Sequence, residues 1–137
     1  RQIPDAVVIN LSTNDFHGKA AVPDEAGWIA AYEKFITTVI RKNYPQAEVF
    51  ICTSPMLSAK SDDTLKKYLA TIQSDLAAAG DKKIHIVNIA PQDPKDGYGA
   101  DWHANLVTQS KMAATLTDAL VKQLAWKAKT ASEAAGK

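Results

Sequence analysis

Residues 6–11 read AVVINL, and residues 12–15 directly after them read STND. The first run is almost continuously apolar and rich in β-branched side chains, the signature of a short strand buried on both faces. Residues 49–53 (VFICT) and 84–89 (IHIVNI) repeat it. Helical stripes lie between these runs. Trp28, Ile29, Tyr32, Phe35, Ile36, Val39 and Ile40 recur at helical spacing until Asn43 and Pro45 stop the segment. Leu65, Tyr68, Leu69, Ile72 and Leu76 form a second stripe, with Ser61 as N-cap, Asp62 and Asp63 in the first turn and Gly80 at the C-terminal cap. Met112, Leu116, Leu120 and Leu124 form a third, capped by Asn105. Strand and helix alternating three times predicts an α/β fold: right-handed crossovers, a parallel sheet and helices packed on its faces.

A length of 137 residues favours one domain, here residues 1–126, followed by a small, polar, alanine-rich tail at 127–137 that reads as a frayed end or linker. Sixteen Lys and Arg oppose 15 Asp and Glu, a formal charge of +1, which argues against a nucleic-acid or anionic-membrane partner. No apolar run approaches the roughly 20 residues that span a bilayer. The single cysteine, Cys52, excludes an internal disulfide and a cysteine-based zinc site, and reads as a small core residue. The three histidines lack the spacing of a metal site, and no Gly-rich phosphate loop is present. A three-stranded sheet has two edge strands, yet all three runs are apolar enough to be interior. Further strands and helices are therefore expected from an N-terminal segment or a companion chain.

In open parallel sheets ligands bind beyond the carboxyl ends of the strands. Residues 12–15, 54–57 and 90–104 follow the three strands and so share one rim, which brings Asn14 and His103 together. His103 is suited to take a proton from a hydroxyl nucleophile and return it to a leaving alkoxide; read alone, it equally suits a surface histidine at a helix start. Asn14 offers an amide to an oxyanion, or an Asx turn after a strand. Asp15 beside it is a loop or cap carboxylate at the edge of the substrate site. Trp102 is either an apolar wall for a ring-shaped ligand or a packing residue. His17 is a solvated loop residue near the rim, and His85, inside a strand, is structural.

Residues 3–15 (IPDAVVINLSTND) resemble the strand and Gly-x-Asn-Asp block of SGNH (GDSL-type) hydrolases, and residues 97–103 (GYGADWH), followed by Ala104 and Asn105, resemble their histidine block. Together with residues 53–57 (TSPML) the combination is most similar to carbohydrate esterase family 2, bacterial acetyl esterases acting on plant polysaccharides. The resemblance runs from Ile3 to about Leu124. It implies a three-layer α/β/α sandwich of the flavodoxin-like SGNH type, here its C-terminal part. It also implies hydrolysis of acetyl esters on a polysaccharide such as xylan or mannan, with no cofactor, at a secreted or cell-surface location. A serine attacks the acetyl carbonyl, His103 acts as base and then acid, Asn14 donates to the oxyanion, and Trp102 receives the sugar.

Several departures bear on this. The Gly-Asp-Ser block that carries the nucleophile is missing, as is the next block with its glycine oxyanion donor. Ser12 replaces the glycine before Thr13-Asn14-Asp15, and Ala104 stands where relatives often have proline. Asp101 lies two residues before His103, not the usual three; in an extended segment both would point to one side, making Asp101 a candidate orienter of the ring, whereas in some members of the resembled family a backbone carbonyl orients the histidine instead. Ser12 and Ser54 lie on the rim but read as structural. The expectation is an acetyl esterase part without its own nucleophile. The rivals are an inactive carbohydrate-binding or scaffold module, and an SGNH lipase or thioesterase.

Overall fold

The computed structural model of the protein describes residues 3–16 and 22–127. His17 and the tail beyond Lys127 lie outside the described residues. The elements are β1 (Ala6–Ile9), α1 (Thr13–Phe16), α2 (Glu25–Phe35), β2 (Glu48–Cys52), α4 (Ala59–Ala78), β3 (Ile84–Val87) and α5 (Leu106–Leu124), where α2 runs on through a π-helical turn (Ile36–Ile40) into the short α3 (Arg41–Asn43). The three strands form one parallel sheet in the order β1-β2-β3, with Val49 of β2 in register with Val7 and Ile84.

The pleat sends alternate residues to opposite faces. Val7, Ile9, Val49, Ile51, Ile84 and Ile86 face α2 and α4, where they meet Ile36, Leu65, Leu69 and Ile72 in the larger core. Ala6, Phe50, Cys52 and Val87 face α5 and meet Met112, Leu116 and Leu120. Helices thus cover both faces, as the alternation of runs predicts. The second face is the thinner one: the α5 stripe is only half-buried. Val8 of β1 stays 40% exposed, and so does much of Leu11.

Local signals place most boundaries. Asp24 caps α2 by accepting Gly27 N–H at 2.8 Å. Asn105 caps α5 by accepting Thr108 N–H at 3.0 Å. Gly80 takes φ 100° just past α4, the left-handed position that favours glycine. The start of α4 is a correction. Ser58, not Ser61, is the N-cap: its backbone is extended and its hydroxyl accepts the Ser61 N–H, so the helix begins a turn earlier. The preceding helix ends at Asn43, just before Pro45, as expected, although the π turn, held in part by Thr37 and Thr38 hydroxyls donating to backbone carbonyls, has no counterpart in the apolar spacing.

At the amino ends of the strands, Arg41 ties the layers together. Its guanidinium makes a two-pronged pair with Asp81 (2.5 and 2.9 Å) and donates to the carbonyls of Ala47 (2.7 Å) and Lys83 (3.2 Å). The pair is mostly shielded from water, so removing one partner strands the other. Arg41→Ala should destabilise the fold by about 3 kcal/mol, measured as a shift of the urea midpoint with the m-value unchanged.

Candidate active site

The carboxyl ends of the strands are stitched to one another. Thr53, at the end of β2, is fully buried; its hydroxyl donates to Ile89 O (3.0 Å) and accepts Ile89 N–H (2.8 Å). Thr13 and Ser54 share a hydroxyl hydrogen bond of 2.7 Å, which joins the loop after β1 to the loop after β2. Gln92 N–H donates to Pro55 O at 2.8 Å, which joins the loop after β2 to the loop after β3. All three expected rim segments therefore form one connected surface. Ser54 is fully buried and its oxygen also accepts Met56 N–H, so this hydroxyl is framework.

Ser12 is buried and adopts φ 91°. That is the glycine region, and it explains why the resembled block carries glycine there. The serine keeps the glycine backbone despite its Cβ. Its carbonyl accepts the N–H groups of Asp15 (3.1 Å) and Phe16 (3.2 Å), which starts α1. Its hydroxyl is buried without a partner among the described residues. Asn14 follows on the exposed side of α1. Asp15, expected at the substrate, accepts the Trp28 indole N–H at 3.0 Å and so ties α1 to α2.

Residues 93–105 fold back on themselves. Asn105 donates to Asp96 O (2.7 Å), and Gly99 N–H to His103 O (2.8 Å). A Cβ on Gly99 would come within 3.1 Å of that same carbonyl, so a larger residue there would push the carbonyl back by a few tenths of an ångström. The turn Ala100–Trp102 contains two left-handed non-glycine residues, Asp101 (φ 49°) and Trp102 (φ 65°). The segment is therefore not extended, and the premise for Asp101 reaching the ring does not hold. His103 Nδ1 instead lies 3.0 Å from Ala100 O. A carbonyl only accepts, so in the neutral ring Nδ1 carries the proton and Nε2 keeps the lone pair.

Trp102 is 71% exposed and meets Tyr98 edge-on, with ring centroids 5.2 Å apart. The two rings, Gln92 and residues 55–58 line a cleft of about 220 Å³. Tyr98 and Gln92 escaped the sequence reading. Tyr98 had a weak signal, an aromatic between two glycines beside the histidine block; Gln92 had none. His85 is held by Glu48 (Nε2 to carboxylate 2.6 Å) and rests on Phe50, a structural role on the α5 face. Burial pushes the Cys52 thiol up to about 11, so it stays protonated near neutrality. Among the described residues, no group of three or more His, Cys, Asp or Glu is placed to hold a metal, and no helix is long and apolar enough to cross a membrane.

No family model matches the chain. It is 38% identical over 126 residues to a cellulase/esterase of Acetivibrio thermocellus, a stretch covering 92% of this chain and 15% of that protein. An acetylxylan esterase/glucomannan deacetylase of Cellvibrio japonicus is 26% identical over 92% of this chain and 33% of its own length. Among solved structures, a family two carbohydrate esterase from Clostridium thermocellum in complex with cellohexaose superposes with a TM-score of 0.85 at 38% identity, over 91% of this chain and 38% of that one. A Corynascus family 2 carbohydrate esterase gives 0.79 at 34% identity, over 90% and 38%. The chain thus spans well under half the length of each of these relatives.

Two outcomes follow from the geometry. Ser12→Gly should stabilise the fold by about 1 kcal/mol, because relief of ~1–3 kcal/mol of left-handed strain exceeds the ~0.5–1 kcal/mol entropic cost of glycine; chemical denaturation measures it. Cys52 should resist an aromatic disulfide reagent at pH 8 in the native protein and react at once in denaturant.

Proposed function

We propose that this chain, whose homologues are carbohydrate esterase family 2 enzymes, is the histidine-bearing part of a serine-type carbohydrate O-acetyl esterase domain. The observation that carries this is the His103 ring: Ala100 O holds the proton on Nδ1, which leaves Nε2 as the base on a rim that also presents Asn14. A serine Oγ attacks the acetyl carbonyl while Nε2 takes its proton. The tetrahedral oxyanion accepts a hydrogen bond from the Asn14 amide. Nε2–H then protonates the departing sugar oxygen, leaving acetyl-serine. Water, deprotonated by Nε2, attacks that ester, and collapse of the second tetrahedral intermediate releases acetate and returns the serine. Trp102 and Tyr98 supply an apolar wall for the sugar ring of an acetylated polysaccharide such as xylan or mannan. Such polymers are extracellular, so the enzyme acts as a secreted or surface protein.

The nucleophile comes from a segment outside this sequence. Ser54 is buried and Ser12 is committed to a strained turn, so neither is presented for attack. The open edge at β1, with Val8 and Leu11 exposed, suits a further strand from an N-terminal segment or a companion chain. A second reading, a glycan-binding module without turnover, is favoured by the exposed Tyr98–Trp102 pair and by the cellohexaose in the solved relative.

The isolated chain should not hydrolyse 4-nitrophenyl acetate; turnover abolished by Ser12→Ala would make that serine the nucleophile instead. In a polypeptide joining this chain to a serine-bearing segment, a fluorophosphonate should label the serine. There His103→Ala should cut kcat about 10²–10⁴-fold with the fold intact. Sugar affinity without labelling would select the binding module.

A further inference from the structure

The loop that carries His103 is gripped by one side chain that the mechanism above leaves unused. Gln92 Nε2 donates to the Trp102 carbonyl at 3.0 Å. That carbonyl and the His103 N–H belong to the same peptide unit. The His103 N–H donates to Ala100 O at 3.0 Å, and the His103 ring Nδ1–H donates to the same oxygen at 3.0 Å. A peptide unit is planar, so fixing its oxygen fixes its N–H direction as well. Gln92 thus sits at one end of a rigid plane whose other end reaches the acceptor of the imidazole.

The grip has a firm base and something to resist. Gln92 N–H is anchored on Pro55 O (2.8 Å), in the loop beyond β2. Asp101 and Trp102 both hold left-handed backbones, a conformation costing ~1–3 kcal/mol per non-glycine residue unless its surroundings enforce it. The Gly99 N–H to His103 O bond restrains the turn from within the loop, and Gln92 restrains it from another part of the rim. The Gln92 Oε1 atom is buried without a partner among the described residues, so the amide's contribution lies in its N–H donor.

We infer that Gln92 is a positioning residue: its amide N–H fixes the Trp102–His103 peptide plane, and through Ala100 O it fixes the tautomer of His103 and the direction of Nε2. The effect on the ring stands by itself; the effect on catalysis rests on the esterase reading. Two variants separate hydrogen bonding from packing. Gln92→Ala removes the whole side chain, and Gln92→Met keeps its length without the donor.

Long-range proton–nitrogen spectra of the isotope-labelled 137-residue chain, recorded above the titration of the ring, read the tautomer directly. The unaltered chain should hold His103 as Nδ1–H. Both variants should shift it toward the Nε2–H form that free imidazole side chains prefer, with backbone signals of the three strands unmoved. In the serine-bearing polypeptide both should lower kcat on 4-nitrophenyl acetate by ~10–100-fold and change KM by less than about twofold. An unshifted tautomer in Gln92→Met overturns the inference, whatever happens to kcat. A shifted tautomer together with a serine-bearing polypeptide that shows neither turnover nor fluorophosphonate labelling would sustain the positioning role and discard the esterase reading.

Discussion

Parallel strands all point the same way, so whatever follows each of them is delivered to a single rim. In this chain that constraint is locked by side chains. The Thr53 hydroxyl closes two hydrogen bonds with Ile89, Thr13 shares one with Ser54, and Gln92 reaches back to Pro55. Three loops that are far apart in sequence become one surface because each is fastened to the next. β1 and β3 do not touch; β2 lies between them and sets the common direction of the loops that follow all three.

Much of the framework was legible because apolar periodicity is a core signal. The strand at residues 6–11 and its two partners were read from β-branched runs, and the α4 stripe from Leu65, Leu69 and Ile72, now fully buried. Caps were legible where one residue decides, as at Asn105 and Gly80, and misplaced where two serines three residues apart both qualified, as at Ser58 and Ser61. Of the candidate site, His103, Asn14 and Trp102 were proposed from residue type beside a strand end or helix start. What orients the histidine was not. The Ala100 carbonyl is backbone and leaves no trace in side-chain spelling, so a carbonyl orienter was legible only through the family resemblance; Asp101 rested on an extended segment that left-handed φ values exclude. Gln92 was invisible because its role depends on a contact to a carbonyl ten residues away.

The two faces of the sheet are unequally finished. The side carrying α2 and α4 is a closed apolar core, while the α5 side keeps Val8 exposed and the α5 stripe half in water. Covering apolar area contributes about 25 cal/mol per Å², so that side is where additional polypeptide has most to gain by packing. Among the described residues, β1 is an edge strand, with backbone groups on that side unpaired in the sheet. The β1 edge runs directly into the loop bearing Asn14.

The reversed turn at Asp101 and Trp102 carries a thermodynamic corollary. Its conformational penalty is met once, when the chain folds, and comes out of the stability of the whole molecule rather than out of the affinity for a guest. What is settled in advance is the backbone beneath the indole, so the exposed ring can be met without the main chain having to reverse again.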